Sequence, residues 1–480
     1  MRLRIVLRYV AFVFLLNAAF LLISAVISGF NADEAFFPLF YGFLIAGLFA
    51  VFPLVFVPPA RDISNKEGLA IVITSWFFSC LLGVIPYIMW GGEFTFTNAW
   101  FESVSGYTTT GSSILTNVEA LPLGLLFWRS ATHWIGGIGI IIFVLAVLPP
   151  LGISRIVLYR AEMSQQAFHN FRLRAGQAVQ ILLYVYVGLT VLETLALLLC
   201  GMNLFDAVTH SFATIATGGF SPKNASIAHY RSTSVEIVVM IFMVLSGIHF
   251  GLLFAAAIAG KIQDLWKSIV LRYYLIVLGI GIIIATIAVH VGHFSSWAEA
   301  LRYSAFQIIS IGTSTGFATA DSSVWPALAQ LLLIFFTLQC ACAGSTSGGI
   351  KVDRIVIFAK SIVRNIRQIQ HPKAVFVTKM GAAKLDDSTL HFSSLYISLY
   401  IGIVFISALL LTALGVDALS AFSGSAATMG NVGPGLGTVG AVSNFAHIPS
   451  LGKWILTATM LLGRLEVYGL IIFFMAETWR

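Results

Sequence analysis

Apolar runs of about 20 residues, the length that crosses the hydrocarbon core of a bilayer, recur from one end of this chain to the other. They occupy 9–29, 37–58, 69–90, 127–148, 178–200, 235–259, 273–292, 326–343, 392–414 and 451–475, and the eighth continues beyond an interruption. Lipid offers no partners for backbone N–H and C=O groups, so each run is expected to satisfy its own as a helix. Composition agrees: of 480 residues 58% are hydrophobic and only 10% charged, against about 25% charged in ordinary globular domains. The expected fold class is an all-α polytopic membrane protein.

The net charge of +7 does not point to nucleic acid, because the basic residues fall between spans rather than among stacking aromatics on a polar face. With the N-terminus inside, Arg2, Arg4, Arg8, Arg61, Lys66, Arg480 and the basic residues of 155–174, 261–272 and 351–384 are all internal. Only Arg129, Lys223, Arg231, Arg302 and Lys453 face outward, and Arg464 lies at membrane depth. This satisfies the positive-inside rule, and an even number of spans puts both termini in the cytoplasm. The start, to about Ile27, is longer than a signal peptide's apolar region of about 15 residues, so an uncleaved first span is expected. Cys80, Cys200, Cys340 and Cys342 lie inside apolar runs, without zinc or disulfide spacing, and read as small core residues.

From the third span onward one pattern occurs four times: a span, a short semi-polar segment, a Thr/Gly-rich stretch and another span. The short segments, 98–107, 205–213, 297–310 and 417–427, cannot cross a bilayer and suit re-entrant helices. Their exposed backbone must be buried in protein or line a watery cavity, so four of them imply a shared central one. The organisation expected is 1–60 for two N-terminal helices, then repeats at 61–155, 156–262, 263–370 and 371–480.

After the short segments come Tyr107-Thr108-Thr109-Thr110-Gly111-Ser112, Ile215-Ala216-Thr217-Gly218-Gly219-Phe220, Thr313-Ser314-Thr315-Gly316-Phe317 and Gly430-Asn431-Val432-Gly433-Pro434. An ion filter replaces the hydration shell of potassium with backbone carbonyls, and glycine permits the backbone geometry that aims them inward. Taking Gly111, Gly218, Gly316 and Gly433 as equivalent, Thr110, Thr217, Thr315 and Val432 supply carbonyls beside them. One Thr-Gly pair is a common turn; four, roughly 100 residues apart and each at the same place in its unit, mark an internal repeat.

On these stretches the chain resembles the Trk/Ktr/HKT superfamily of potassium transporters, within it the TrkH/TrkG membrane subunits of bacterial Trk systems. Two spans before the repeats, Ala343-Gly344-Ser345-Thr346-Ser347-Gly348-Gly349-Ile350-Lys351 in the third repeat and Gly463-Arg464-Leu465-Glu466 in the fourth add to the likeness. The resemblance implies four helix–pore loop–helix repeats around a pore in a bacterial inner membrane. It implies potassium filter residues Thr109 to Ser112, Ala216 to Gly219, Ser314 to Phe317 and Asn431 to Pro434, with rubidium also conducted. Gly111 in the first filter implies potassium over sodium. A homodimer and a cytosolic TrkA-like nucleotide-binding subunit are implied partners. One departure is Ile215-Ala216, where the sister stretches are richer in Thr or Ser.

The glycines of 344–349 each disfavour helix by about 1 kcal/mol relative to alanine, so a break is expected there. The resemblance implies that Gly344, Ser345, Thr346, Ser347, Gly348 and Gly349 form the gate; the bland alternative is a cytoplasmic helix end. Arg464 costs at least about 2.5 kcal/mol at membrane depth and needs a polar partner. The carbonyls or hydroxyls of 344–349 are one, and a salt bridge to Glu466 or another acid is the alternative, though 464 and 466, two residues apart on a helix, point to different faces.

Glu102 either biases an outer vestibule toward cations or serves structure, whereas Asp206, Glu299 and Asp417 suit helix N-termini. His133 and His249 lack metal-partner spacing, and Gly136, Gly137, Gly139 and Gly247 suit close helix packing. Basic residues between Arg364 and Lys379 suit anionic lipid headgroups or a cytosolic partner. No catalytic constellation appears, so the expectation is a transporter and not an enzyme. Coupled symport through inverted repeats is disfavoured, because all four units run the same way.

Overall fold

The computed structural model describes residues 2–60, 63–146, 175–257, 260, 262–381 and 383–475. The basic stretch 155–174, Arg61, Lys261 and Arg480 lie outside these, so their expected internal placement is not part of the described structure. Among the described residues the regular structure is α-helical, apart from four short 3₁₀ turns, an isolated bridge between Gln339 and Ile350 and a two-residue antiparallel pairing of Lys379–Met380 with Ala383–Lys384.

Two helices, α1 (Leu3–Phe30) and α2 (Phe36–Phe56), precede the repeats. The first repeat is α3 (Asn65–Trp90), α4 (Phe96–Tyr107) and α5 (Leu123–Ala146). The second is α6 (Ala175–Leu199), α7 (Leu204–Ile215), α8 (Thr233–Ser246) and α9 (Phe250–Ala257). After α10 (Ile262–Lys267) come α11 (Ile269–Gly292), α12 (Trp297–Gly312), α13 (Ala327–Leu338) and α14 (Val352–Gln370). The fourth repeat is α15 (Asp387–Ala413), α16 (Ala418–Met429), α17 (Ser450–Arg464) and α18 (Val467–Phe474).

Three of the short helices begin with a side-chain cap: Thr95, Asn203 and Asp417 accept from the N–H groups of Asn98, Asp206 and Ser420. Such a cap is worth about 1 kcal/mol, a large share of what a three-turn helix can muster alone. Helix α3 opens with a capping box between Ser64 and Glu67, and Arg2 pairs with Glu67 at 2.8 Å.

Polarity is distributed inside out. Ser103, Thr108, Thr132, Ser211, Thr214, Ser310, Ser425 and Thr428 are fully buried, while Phe37, Leu48, Leu192, Ile283 and Leu409 are exposed. An apolar exterior around a hydroxyl-rich centre is what a lipid-facing protein with a polar axis requires. The leading helices are tied to that centre through Asn17 of α1, whose amide O accepts from Tyr107 at 2.6 Å and whose N donates to Ser79 at 3.2 Å.

Among the described residues six helices are long and apolar enough to cross a membrane, up to eight if each bent pair is one span. Three of the spans expected from sequence are therefore corrected. The sixth turns by 107° between α8 and α9, where His249 Nδ1 accepts from Gly251 N–H at 3.0 Å and starts a new helix. The tenth turns by 106° between α17 and α18, with Glu466 at φ +54°. The eighth is helical only to Leu338 and resumes at Val352. There Ile350 pairs back on the chain, donating to Leu338 O and accepting from Cys340 N–H, both at 3.1 Å. The break thus begins five residues before Gly344.

Candidate functional site: a backbone ring and a buried loop

The four short helices end alike. Two residues beyond each, Thr109, Thr217, Ser314 and Asn431 have φ of 51, 54, 58 and 51°. The next residue donates its N–H back into the helix end: Thr110 to Ser105 O, Gly218 to Ala213 O, Thr315 to Ser310 O and Val432 to Ala427 O, at 2.8 to 2.9 Å. Then comes a glycine at positive φ: Gly111, Gly219, Gly316 and Gly433.

This sets a register that the sequence alone misassigned. Gly219, not Gly218, is the counterpart of Gly111, Gly316 and Gly433, and Gly218 rather than Thr217 is the counterpart of Thr110, Thr315 and Val432. Two consecutive glycines leave the alignment open; the distance from the helix end closes it. The second strand's departures are thus Ala216 for Thr108 and Gly218 for Thr110.

The strands meet in order around one axis. A Cβ on Gly111 would collide with Gly218 O, on Gly219 with Thr315 O, on Gly316 with Val432 O, and on Gly433 with Thr110 O. Each repeat touches the next and the fourth returns to the first, so the glycines are required by close backbone approach as well as by φ. Side chains lock the ring: Ser112 Oγ donates to Gly433 O at 2.9 Å, Asn431 Nδ2 to Thr110 Oγ1 at 3.0 Å, and Ser310 Oγ to Phe317 O at 2.6 Å. Pro434 Cδ lies 3.0 Å from where a Cβ on Gly316 would sit.

Residues 344–349 lie against this ring and touch the second, third and fourth repeats, and Arg464 links them to the first. Thr346 Oγ1 donates to Ile215 O at 2.9 Å, at the end of α7, and Gly348 N–H donates to Ser314 Oγ at 3.0 Å. Arg464 Nη1 donates to Thr346 O at 2.6 Å and Nη2 to Gly136 O at 3.2 Å. Within the loop Ser345 Oγ donates to Cys342 O at 2.6 Å, and Lys351 Nζ reaches Ser347 Oγ at 3.1 Å. Ser345, Thr346, Ser347 and Arg464 are all buried. Gly349 has φ +65° and its Cα faces Cys340, leaving no room for a side chain.

Arg464 therefore meets the loop carbonyl expected of it, and the alternative partner Glu466 is taken by Arg354 at 2.9 Å. Arg354 also stacks on Tyr396, 3.9 Å from the ring centre. Of the readings left open for Glu102, the structural one fits: Glu102 and Arg129 are both buried and pair at 2.6 Å, and Glu102 also accepts from Ser113 Oγ and Ile114 N–H at 3.0 Å. Sequence missed this pair because its members are placed side by side only by the helix–loop–helix turn. Asp417 caps α16, and Ser420, first through its side chain and then its N–H, holds that carboxyl below its ordinary value. Asp206 sits in the first turn of α7 with Tyr230 Oη donating to it at 2.7 Å, and Glu299 in that of α12. Asn17 was also missed, although a lone amide inside an apolar run is a detectable signal.

Four repeats of an all-α membrane protein converging on one ring of backbone, with a buried loop packed against it, define the class as a four-repeat membrane pore protein. A model of the family described as "TrkH: Cation transport protein" matches residues 45–479. The Trk system potassium uptake protein TrkH of Escherichia coli K12 is 38% identical over 422 residues, covering 87% of each chain. The Trk system potassium uptake protein TrkG of the same strain is 32% identical over 87% of this chain and 86% of that one. The crystal structure of the potassium transporter TrkH from Vibrio parahaemolyticus superposes with TM-score 0.90 at 31% identity, covering 100% of both. The chain belongs to the TrkH family of cation transport proteins.

Proposed function

We propose that this chain takes up potassium across a bacterial inner membrane, down its electrochemical gradient, through the ring formed by Thr109–Ser112, Thr217–Phe220, Ser314–Phe317 and Asn431–Pro434. The carbonyls of Thr110, Gly218, Thr315 and Val432 replace water around the ion, and rubidium follows the same path. The observation that supports this most is the closed succession of glycine–carbonyl approaches from repeat to repeat. That similar proteins are named for potassium uptake supports the choice of ion.

Residues 344–349 obstruct the path below the ring, and Arg464 holds them there. Non-helical backbone at this depth is tolerated because it lines a polar axis. Opening requires the loop to leave Ile215, Ser314 and Arg464 together. The control comes from a cytosolic nucleotide-binding subunit of the TrkA kind, acting on a homodimer, with both termini and the basic segment 351–384 on the cytoplasmic side beside anionic headgroups.

Purified protein in proteoliposomes tests the reading. Rubidium uptake is expected that potassium blocks and sodium does not; equal block by sodium and potassium contradicts it.

A further inference from the structure

Three of the four strands carry a side chain at the position beside the ring glycine: Thr110, Thr315 and Val432. The second carries Gly218, followed by Gly219, which makes it the least restrained backbone of the four. Gly218 is not among the positive-φ glycines. Its conformation does not demand glycine; its surroundings do. A Cβ there would run into the imidazole of His133, with Nδ1, Cγ and Cε1 as its nearest neighbours, so the ring lies flat against the Gly218 Cα.

That ring is itself clamped. His133 stacks on Phe220 with centroids 4.1 Å apart and planes 13° apart. The Arg129 guanidinium covers the Phe220 ring at 3.7 Å and is fixed by Glu102 at 2.6 Å and Ser221 O at 3.2 Å. His133 is fully buried, and neither of its ring nitrogens has a hydrogen-bond partner among the described residues. By contrast, His210 is bonded at both nitrogens, to Asp206 O at 2.7 Å and Ser221 Oγ at 3.0 Å. An imidazole that bonds nothing and fills the space of a missing side chain acts as a flat wedge.

We propose that His133 is a positioning residue that sets ion selectivity: its ring stands in for the side chain absent at 218 and holds the Gly218–Gly219 peptide in the ring geometry. Phe220 and Arg129 keep the wedge in place. This rests on the reading of the four strands as an ion filter.

The test measures block of rubidium uptake by potassium and by sodium in proteoliposomes of the full chain. His133→Ala lowers the preference for potassium about tenfold, because the freed peptide no longer holds its carbonyl on the axis. Gly218→Thr alone collides with the ring and also lowers it. The double variant His133→Ala/Gly218→Thr returns to within about twofold of the parent, the non-additivity expected of residues sharing one space. A merely structural role would lower yield and thermal stability without moving the ion ratio and without rescue. If His133→Ala does not assemble, His133→Phe and His133→Leu carry the test: the flat ring keeps the preference and the branched chain loses it. Unchanged preference in His133→Ala, or a double variant no better than the worse single one, overturns the proposal. Gly111→Ser is the control: if it shifts the preference while His133→Ala does not, only the wedge fails. If neither variant shifts it, the filter reading fails as well.

Discussion

The ring and the loop packed against it are in contact but do not share the same symmetry. Each repeat gives the ring a helix end, an inverted residue, a carbonyl and a glycine, whereas the loop comes from the third repeat alone. The loop's contacts differ accordingly: a hydroxyl to the second repeat, an N–H to the third, and the Arg464 guanidinium joining it to the first and fourth. On the proposed reading, the difference separates two tasks. Surrounding a dehydrated ion needs equivalent oxygens from every side, while blocking a path needs only one segment that can leave.

If this division holds, changes in the ring move selectivity and changes around the loop move rate. The largest effect is expected for Gly111→Ser, whose Cβ overlaps Gly218 O and displaces a carbonyl. Preference for potassium over sodium should fall by one to two orders of magnitude, about the loss expected when a coordinating dipole leaves the axis. Competition of sodium with rubidium uptake measures it. Retained preference breaks the comparison at the ring.

Arg464→Ala should come next. It removes the charge-assisted bond to Thr346 O, worth about 1.5–3 kcal/mol, so unstimulated rubidium uptake should rise at least about tenfold while the ion ratio stays put. An altered ratio at unchanged rate would mean that Arg464 serves the ring instead. Thr346→Val sharpens the same point with a smaller step. Losing one neutral hydrogen bond to Ile215 O, worth about 1 kcal/mol, should raise uptake no more than about fivefold. No change in initial rate would show that the second repeat does not hold the loop.

How far the sequence disclosed all this follows from what each feature costs. The membrane class was plain, because about 20 apolar residues have few other uses. The ring was legible because close backbone approach excludes every residue but glycine, leaving Gly111, Gly316 and Gly433 as fixed marks. Its second strand was misaligned because Gly218 and Gly219 satisfy the same pattern, and only the chain's path from Ile215 distinguishes them. Arg464 gave away its need for a partner, since a charge in lipid must find one. The turns at Ile248 and Leu465 left no comparable trace: no proline marks either, and Gly247 is equally at home in a packed helix. The Glu102–Arg129 pair was hidden because two charges near an outer loop look the same exposed or buried until the helices are in place.

The most direct test is anomalous scattering from crystals of this protein grown in rubidium. The account predicts a rubidium peak on the axis, bounded by the carbonyl oxygens of Thr110, Gly218, Thr315 and Val432. Rubidium bound elsewhere, with nothing between those four oxygens, would contradict it.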